Sequence, residues 1–216
     1  MLAWLPNALT VSRCVFAALV LFGALRAAGI DGVLEAGTET GLERQRLLTF
    51  QQLWHQFTLL AFLSGVITDF LDGWAARQFG AESRFGVWLD PIADKLLVAA
   101  ALVALALALK SWLIYVPAAL IIARDVFMTW LRTRPEAKGV VAPSNLAKVK
   151  TAIEMLAIAG LMLPLALWPA PEAPAGGEAS LVGQIGAGAL VLMLWAAAGL
   201  SLYTAAQYVR VIRRRT

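Results

Sequence analysis

The sequence contains few charged residues and almost no cysteine or histidine. Only 15% of its 216 residues are charged, whereas 60% are hydrophobic. This balance places the chain among membrane proteins rather than soluble domains. The single cysteine, Cys14, cannot form an internal disulfide, and no cluster of cysteine and histidine favours a zinc site. The first residues also lack the basic region and the small-residue cleavage site of a signal peptide.

Six apolar segments have about the ~20 residues that a helix needs to cross a bilayer. They cover residues 8–29, 52–77, 86–109, 111–132, 146–168 and 181–209. We therefore predict an all-α integral membrane protein, a bundle of six transmembrane helices that forms a single domain over residues 1–216. Residues 1–7 are predicted to be a short interfacial segment. Residues 30–51 are predicted to be a polar connector, with some helix near its end.

Positive charges are distributed unevenly about these six segments. Twelve of the eighteen lysines and arginines lie on the side that holds both chain ends. Cytoplasmic loops carry such an excess, so both termini and residues 69–94 are expected to face the cytoplasm. Anionic membrane lipids are expected partners of these charges. Nucleic acid is not expected as a partner, because no soluble basic surface remains to bind it.

Four aspartates lie within residues 69–94, inside sequence that is otherwise apolar. Asp69 and Asp72 are three residues apart, and Asp90 and Asp94 are four apart, so each pair shares a helical face. A short connector joins the two segments, so we expect antiparallel neighbours whose acids converge. Converging carboxylates repel one another, and oxygen ligands suit Mg²⁺ or Mn²⁺. The spacing therefore predicts two divalent cations roughly 3.5–4 Å apart, an arrangement used for displacement at phosphorus.

Other interpretations of these acids remain open at this point. Gly73 and Gly86 accompany them, and a missing side chain lets a ligand approach the backbone closely. The acids could instead be charges at helix ends, and the glycines packing positions. A cation or proton transporter would also bury acids in its spans, although the chain has no internal repeat. A membrane scaffold without catalytic activity is a further alternative.

Residues 69–94 fit the pattern D-x2-D-G-x2-A-R-x8-G-x3-D-x3-D at every fixed position. In this pattern the chain resembles the CDP-alcohol phosphotransferases. The resemblance implies an integral membrane enzyme in which an alcohol displaces CMP from a CDP-linked donor. It implies that the metal ligands are Asp69, Asp72, Asp90 and Asp94, and that Asp94 is also the catalytic base toward the acceptor hydroxyl. It implies that the CDP-linked donor binds against Asp69, Gly73, Ala76, Arg77 and Gly86.

Three further stretches resemble the bacterial phosphatidylglycerophosphate synthases of that family. They are Asn7-x2-Thr10-x2-Arg13, Ile121-x2-Arg124-Asp125 and Lys148-x-Lys150-Thr151. The resemblance implies that the phosphate of the acceptor is held by Asn7, Thr10, Arg13, Arg124, Lys148 and Lys150. The alternatives are an N-cap, a structural ion pair of Arg124 with Asp125, and cations that extend to the membrane surface.

Two residues depart from the pattern of these synthases. Ala147 stands where glycine is usual, and Glu154 stands where glutamine is common. Glu154 is expected to pair with Lys95 or Arg124 inside the bundle. The departures leave open a different acceptor of the same reaction, such as phosphatidylglycerol or an inositol phosphate.

The resemblance to these synthases also implies a donor, an acceptor and a location. The donor is CDP-diacylglycerol, and the acceptor is a small phosphorylated alcohol, sn-glycerol 3-phosphate. The products are phosphatidylglycerophosphate and CMP, formed in phospholipid biosynthesis at a bacterial cytoplasmic membrane. Small residues in the last apolar segment indicate close helix packing, so we expect a homodimer; they are Gly183, Gly186, Ala187 and Gly188.

Overall fold

The computed structural model describes the backbone of residues 5–37, 39–79, 84–132, 145–167 and 181–213. Within these ranges it describes the side chains of residues 11–37, 39–71, 92–93, 95–131, 149–167 and 185–212. Residues 1–4 of the predicted interfacial segment lie outside the described chain.

The described chain forms six α-helices, which confirms the all-α prediction. They are α1 (Leu5–Ala36), α2 (Gly41–Phe79), α3 (Arg84–Leu109), α4 (Trp112–Arg132), α5 (Asn145–Leu167) and α6 (Leu181–Arg213). Four of them contain stretches long and apolar enough to cross a membrane: Val11–Ala36, Trp112–Leu131, Val149–Leu167 and Ile185–Ile212. The chain therefore has the helices of a membrane protein. Spans over 52–77 and 86–109 stay predictions, since a shorter apolar stretch, Lys95–Leu109, is found in α3.

The connector predicted over residues 30–51 is mainly helical in the structure. Helix α1 continues through Ala36, and α2 begins at Gly41. Polar residues of this segment are compatible with helices, since Gln51 of α2 donates a hydrogen bond of 3.3 Å to Asp31 of α1. Thr40 caps α2, since Glu43 Oε2 accepts hydrogen bonds from the backbone N and the hydroxyl of Thr40 at 3.2 and 2.9 Å.

The chain divides into two compact units. The first comprises Met1–Leu109 and Met162–Gly177, and the second comprises Lys110–Leu161 and Glu178–Thr216. Helices α1, α2 and α3 lie in the first unit with the last residues of α5. Helices α4 and α6 and most of α5 lie in the second unit.

Helices α1 and α2 of the first unit run in opposite directions with a constant register. Arg13 pairs with Asp69 near one end, and Asp31 accepts a hydrogen bond from Gln51 near the other. Between them the helices approach closely at Gly23, where a Cβ atom would lie 2.5 Å from the hydroxyl of Thr58. From one of these contacts to the next, the number of residues forward along α1 and backward along α2 agrees to within one residue.

Helix α3 packs against both α1 and α2. The buried core of this unit includes Val20, Phe62, Leu97, Leu102 and Leu105. Two glutamines of α2 also bind the carboxyl end of α5. Gln56 donates to the carbonyl of Ala166 at 3.0 Å, and Gln52 donates to the carbonyls of Ala166 and Leu167 at 3.4 and 3.3 Å. These bonds satisfy carbonyl groups that have no partner within the helix.

In the second unit, α4 packs against α6. Near the start of α4, the carbonyl of Leu113 accepts a hydrogen bond of 3.0 Å from the indole of Trp195. Helix α5 approaches α6 at Gly160, where a Cβ atom would lie 2.5 Å from Leu190 Cδ2. Ile114, Ile121, Ile158 and Leu194 are buried here.

Candidate functional site

The described part of the aspartate-rich segment contains an ion pair between a buried arginine and a partly exposed aspartate. Arg13 Nη1 of α1 donates a hydrogen bond of 2.8 Å to Asp69 Oδ1 of α2, and the two groups form a salt bridge. The Arg13 side chain is 2% exposed, whereas that of Asp69 is 39% exposed. Arg13 therefore fixes one carboxylate oxygen from the interior, and the carboxylate remains accessible to a ligand from the other side.

The packing of α2 against α3 relates the positions of the four aspartates. At Gly65 of α2 the missing side chain makes room for Leu97 of α3, whose Cδ2 atom would lie 2.6 Å from an added Cβ. Gly65 lies 14 residues before the end of α2, and Leu97 lies 13 residues after the start of α3. Such nearly equal distances from the connection are those of an antiparallel helical hairpin.

This register brings the two halves of the aspartate pattern to the same level. Moving from Gly65 toward Asp69 and Asp72 along α2 corresponds to moving from Leu97 back toward Asp94 and Asp90 along α3. Each helix rises about 1.5 Å per residue. Asp69 therefore lies at the level of Ala93 and Asp94, and Asp72 lies at the level of Asp90. The register agrees with the antiparallel neighbours expected from the short connector, and convergence of the acid side chains stays a prediction.

Most of the predicted donor and metal residues lie in these two helices, but their side chains are outside the described set. They are Asp72, Gly73, Ala76, Arg77, Gly86, Asp90 and Asp94. Among the described side chains there is no group of three or more potential metal ligands. The chemistry of the four acids nevertheless fits Mg²⁺ or Mn²⁺, because each contributes oxygen donors and Asp69 is accessible.

The predicted acceptor residues are distributed over both units. Asn7 and Thr10 lie in α1 with Arg13, and Lys148 lies in α5, but the side chains of Asn7, Thr10 and Lys148 are outside the described set. Arg13 is buried within the first unit.

Arg124 of α4 is held by three partners in the second unit. Its Nη1 donates to Asp125 Oδ1 at 2.7 Å, its Nε to the carbonyl of Ser201 at 3.1 Å, and its Nη2 to the hydroxyl of Thr204 at 3.1 Å. The side chains of Arg124 and Asp125 are 15% and 16% exposed. The structural pair considered from the sequence is thus present. A guanidinium carries five N–H groups, so three hydrogen bonds leave donor capacity for a ligand.

Lys150 and Glu154 form a second buried ion pair in this unit. Lys150 Nζ lies 3.2 Å from Glu154 Oε2, and the two side chains are 8% and 3% exposed. The expectation that Glu154 pairs with Lys95 or Arg124 is therefore wrong. Glu154 lies one turn after Lys150 on the same helix, and residues four apart on a helix are neighbours.

An apolar groove of about 490 Å³ opens between α4 and α6 beside Arg124. Its other lining residues are Leu120, Ala123, Phe127, Leu202, Ala205, Ala206, Val209 and Arg210. The side chain of Arg124 therefore borders an open groove, in addition to contacting the internal partners described above.

The sequence analysis did not identify Ser201 and Thr204 as partners of Arg124. Two hydroxyl residues three apart in an apolar helix share a face, and that spacing was the signal. In the structure His55 is partly buried and lines a cavity of about 20 Å³ with Asp31, Gln51 and Thr58.

Comparison with known proteins identifies a family and several relatives. Residues 3–205 match the family model described as CDP-alcohol phosphatidyltransferase. The chain is 40% identical over 119 residues to the CDP-diacylglycerol–glycerol-3-phosphate 3-phosphatidyltransferase of Escherichia coli strain K12, which covers 53% of this chain and 65% of that protein. It is 42% identical over 106 residues to the protein of the same name in Sodalis glossinidius, covering 48% of this chain and 58% of that protein.

The matched region thus spans less than two thirds of the length of these curated relatives. The match to the family model is more extensive and includes the whole aspartate pattern together with Arg13, Arg124, Lys150 and Glu154.

Proposed function

Because this chain belongs to the CDP-alcohol phosphatidyltransferase family, we propose that it transfers the phosphatidyl group of CDP-diacylglycerol to sn-glycerol 3-phosphate. The products are phosphatidylglycerophosphate and CMP, so the reaction belongs to phospholipid biosynthesis. The observation that carries the proposal is the Arg13–Asp69 pair at the start of the complete aspartate pattern. The names of the Escherichia coli and Sodalis glossinidius relatives support the choice of acceptor.

In this proposal the four aspartates hold two divalent cations, Mg²⁺ or Mn²⁺. The ligands are Asp69, Asp72, Asp90 and Asp94. Such cations, when bound, neutralise the diphosphate of the donor and the charge that develops on the departing CMP. Arg13 orients Asp69 through its hydrogen bond, as partners of metal-binding carboxylates commonly do.

Asp94 is proposed as the general base toward the acceptor. The acceptor hydroxyl loses its proton to the carboxylate of Asp94 while its oxygen attacks the phosphorus that carries the diacylglycerol. A bond from that oxygen to phosphorus forms, and the bond from phosphorus to the CMP oxygen breaks. Since the acceptor attacks directly, the reaction requires no serine or cysteine nucleophile. Gly73, Ala76, Arg77 and Gly86 are proposed to contact the CDP part of the donor together with Asp69.

The residues proposed to bind the phosphate of the acceptor are mainly cationic. Arg124 retains N–H groups beyond its three internal hydrogen bonds, and a guanidinium matches the geometry of a phosphate. Lys148, Lys150 and Arg13 supply further positive charge, and Asn7 and Thr10 supply neutral hydrogen-bonding groups.

We further propose that both chain ends and the aspartate segment face the cytoplasm of a bacterium. The support is the excess of lysine and arginine on that side of a six-span arrangement. A homodimer is proposed as the assembly. Gly186 and Gly188 of α6 are exposed, and an added Cβ atom at either would meet nothing within 4 Å.

A comparison of acceptors tests the proposed reaction. Purified protein with CDP-diacylglycerol and Mg²⁺ is supplied separately with sn-glycerol 3-phosphate, an inositol phosphate, serine or phosphatidylglycerol, and CMP is measured. Release with glycerol 3-phosphate alone is expected. Release with one of the other acceptors instead would agree with the proposed metal site but contradict the assignment of glycerol 3-phosphate as the acceptor. No release with any acceptor would reject the transferase and favour a transport function.

A further inference from the structure

Helices α4 and α6 of the second unit run in the same direction. The indole of Trp195 donates to the carbonyl of Leu113. Further along both helices, Arg124 donates to the carbonyl of Ser201 and to the hydroxyl of Thr204. Moving from Leu113 to Arg124 along α4 thus corresponds to moving from Trp195 toward Thr204 along α6. The carboxyl ends of the two helices therefore lie on the same side of this unit.

The groove between α4 and α6 lies toward these carboxyl ends. Its lining residues fall within 120–127 of α4 and 202–210 of α6. Both ranges lie inside the stretches that are long and apolar enough to cross a membrane, Trp112–Leu131 and Ile185–Ile212. The range 202–210 extends about 12 Å along the helix axis. The acyl chains of bilayer lipids are the apolar groups that meet such a surface in a membrane.

Small side chains leave space in this groove. Ala123, Ala205 and Ala206 line it together with larger residues such as Phe127 and Leu202, which are 42% and 43% exposed. The volume of about 490 Å³ far exceeds the roughly 10–15 Å³ that holds one water molecule. The groove therefore has room for part of an acyl chain.

Arg210 gives the groove a net positive charge near the carboxyl end of α6. It is exposed and lies close to the end of the apolar stretch Ile185–Ile212. Among the described residues, no hydrogen bond or ion pair involves Arg210. The other cation that lines the groove, Arg124, is balanced by Asp125 at 2.7 Å. The sequence continues with three further arginines at 213–215, so positive charge is concentrated at this end of α6.

We propose that this groove binds one acyl chain of an anionic phospholipid whose phosphate pairs with Arg210. A guanidinium matches the geometry of a phosphate and can bind it through two hydrogen bonds. An acyl chain gains little by leaving the bilayer for the groove, because lipid tails are as apolar as leucine. The preference for one lipid over another therefore comes from the headgroup. In a zwitterionic lipid the cationic group offsets the phosphate, so Arg210 favours lipids with a net negative charge.

The groove is separate from the surface proposed for the homodimer. The exposed glycines of that surface, Gly186 and Gly188, precede Leu202 by at least about 21 Å along α6. A symmetric contact through the groove would also bring Arg210 toward the same cation of the second copy. Burial of like charges is unfavourable. These features favour a lipid over a second copy as the occupant.

Photo-crosslinking in membranes tests the proposed lipid site. The purified protein is reconstituted in phosphatidylcholine bilayers with a small fraction of a probe lipid that carries a diazirine in one acyl chain. Three probes share this chain and have phosphatidylglycerol, phosphatidylserine or phosphatidylcholine headgroups. Peptide mass spectrometry locates the labelled residues after irradiation. Both anionic probes should label the groove at least about fivefold more than the phosphatidylcholine probe, since one arginine near the membrane surface contributes a factor of this size.

Substitutions of Arg210 test the role of its charge. Arg210→Gln should lower the preference for the anionic probes about fivefold. Arg210→Lys should retain most of the preference, because it keeps the positive charge at the same place. Arg46→Gln removes an exposed arginine of α2 and should leave the labelling of the groove unchanged.

A second pair of variants tests the position of the chain. Ala206→Leu fills part of the groove and should reduce its labelling by all three probes. Ala196→Leu makes the same change at an exposed alanine of α6 that does not line the groove. It should keep the labelling of the unsubstituted protein.

Several outcomes would overturn the lipid site. They are equal labelling by anionic and zwitterionic probes, an unchanged preference in Arg210→Gln, and unchanged labelling in Ala206→Leu. Labelling by the phosphatidylglycerol probe but not by the phosphatidylserine probe would contradict recognition by charge. Absence of labelling, with cross-links between two protein chains at the groove, would assign the surface to a second copy. Because the labelling requires no CMP release, failure of the proposed transferase function would be seen separately.

Discussion

Arg13 of α1 and Asp69 of α2 form a 2.8 Å ion pair in which the arginine is buried and the carboxylate is partly exposed. The pair joins the first helix to the first carboxylate of the aspartate pattern. A charged group inside a membrane bundle is costly unless it is paired. The pair therefore gives Arg13 a definite role in the first unit, which is to orient Asp69 from within.

Replacement of Arg13 by glutamine should impair catalysis more than folding. Glutamine retains donors for a hydrogen bond to Asp69 but has no charge to strengthen it. Loss of a partner that orients a metal-binding carboxylate typically lowers metal affinity or activity about 10- to 100-fold. We expect a decrease of this size in CMP release. Arg26→Gln is the matched control, because Arg26 is an exposed arginine of the same helix. Equal losses in the two variants would contradict the role of Arg13.

Replacement of Gly65 by valine should separate α2 from α3. An added Cβ atom would lie 2.6 Å from Leu97 Cδ2, and Leu97 is 1% exposed. Extra atoms in a well-packed core typically cost about 1–3 kcal/mol of stability. Thermal unfolding in detergent should show this loss, with lower activity because the register of the aspartates depends on this contact. Gly199→Val serves as the control, since a Cβ atom there meets nothing within 4 Å. Unchanged stability of Gly65→Val would refute the close packing.

The hydrogen bonds of Arg124 predict which of two substitutions, Thr204→Val or Arg124→Lys, destabilises the protein more. Thr204→Val removes the hydroxyl that accepts a hydrogen bond from Arg124. It should lower the free energy of unfolding by about 0.5–1.5 kcal/mol. Arg124→Lys should cost more, because one ammonium group cannot reach Asp125, Thr204 and the Ser201 carbonyl with the geometry of a guanidinium. It should also raise KM for glycerol 3-phosphate. Unfolding in detergent measures the loss of stability, and kinetics with varied glycerol 3-phosphate measure the change in KM. A larger loss of stability in Thr204→Val than in Arg124→Lys would argue against the observed network.

Removal of divalent cations should abolish CMP release. The four aspartates supply oxygen donors of the kind that Mg²⁺ and Mn²⁺ prefer. Addition of EDTA is expected to stop the reaction, and excess Mg²⁺ or Mn²⁺ to restore it. Zn²⁺ should restore it less well, because zinc prefers nitrogen and sulfur ligands. Full activity after exhaustive chelation would contradict the proposed metal site.

The sequence was sufficient to predict the helical class, whereas the location of the site stays a prediction. The length of the apolar segments indicated helices, and acids at spacings of three and four indicated a shared face. The hairpin of α2 and α3 was expected from the short connector between the aspartate pairs, and its register agrees with the close contact of Gly65 and Leu97. These features depend on local spacing, which a single sequence contains.

Contacts between helices distant in sequence could not be predicted in the same way. The partner of Asp69 lies 56 residues away, and the partners of Arg124 on α6 lie 77 and 80 residues away. Pairing over such separations depends on helix register and rotation, which composition does not specify. The helix in the first part of the connector was missed for a related reason, since Asp31 and Gln51 are polar yet make a contact between α1 and α2.

Identification of both products tests the central claim most directly. Purified protein with CDP-diacylglycerol, sn-glycerol 3-phosphate and Mg²⁺ is analysed by mass spectrometry, alongside a folded Asp94→Asn variant. CMP and phosphatidylglycerophosphate are expected in equal amounts from the unsubstituted protein, and neither product is expected from the variant. CMP without the phospholipid product, or full turnover by Asp94→Asn, would contradict it.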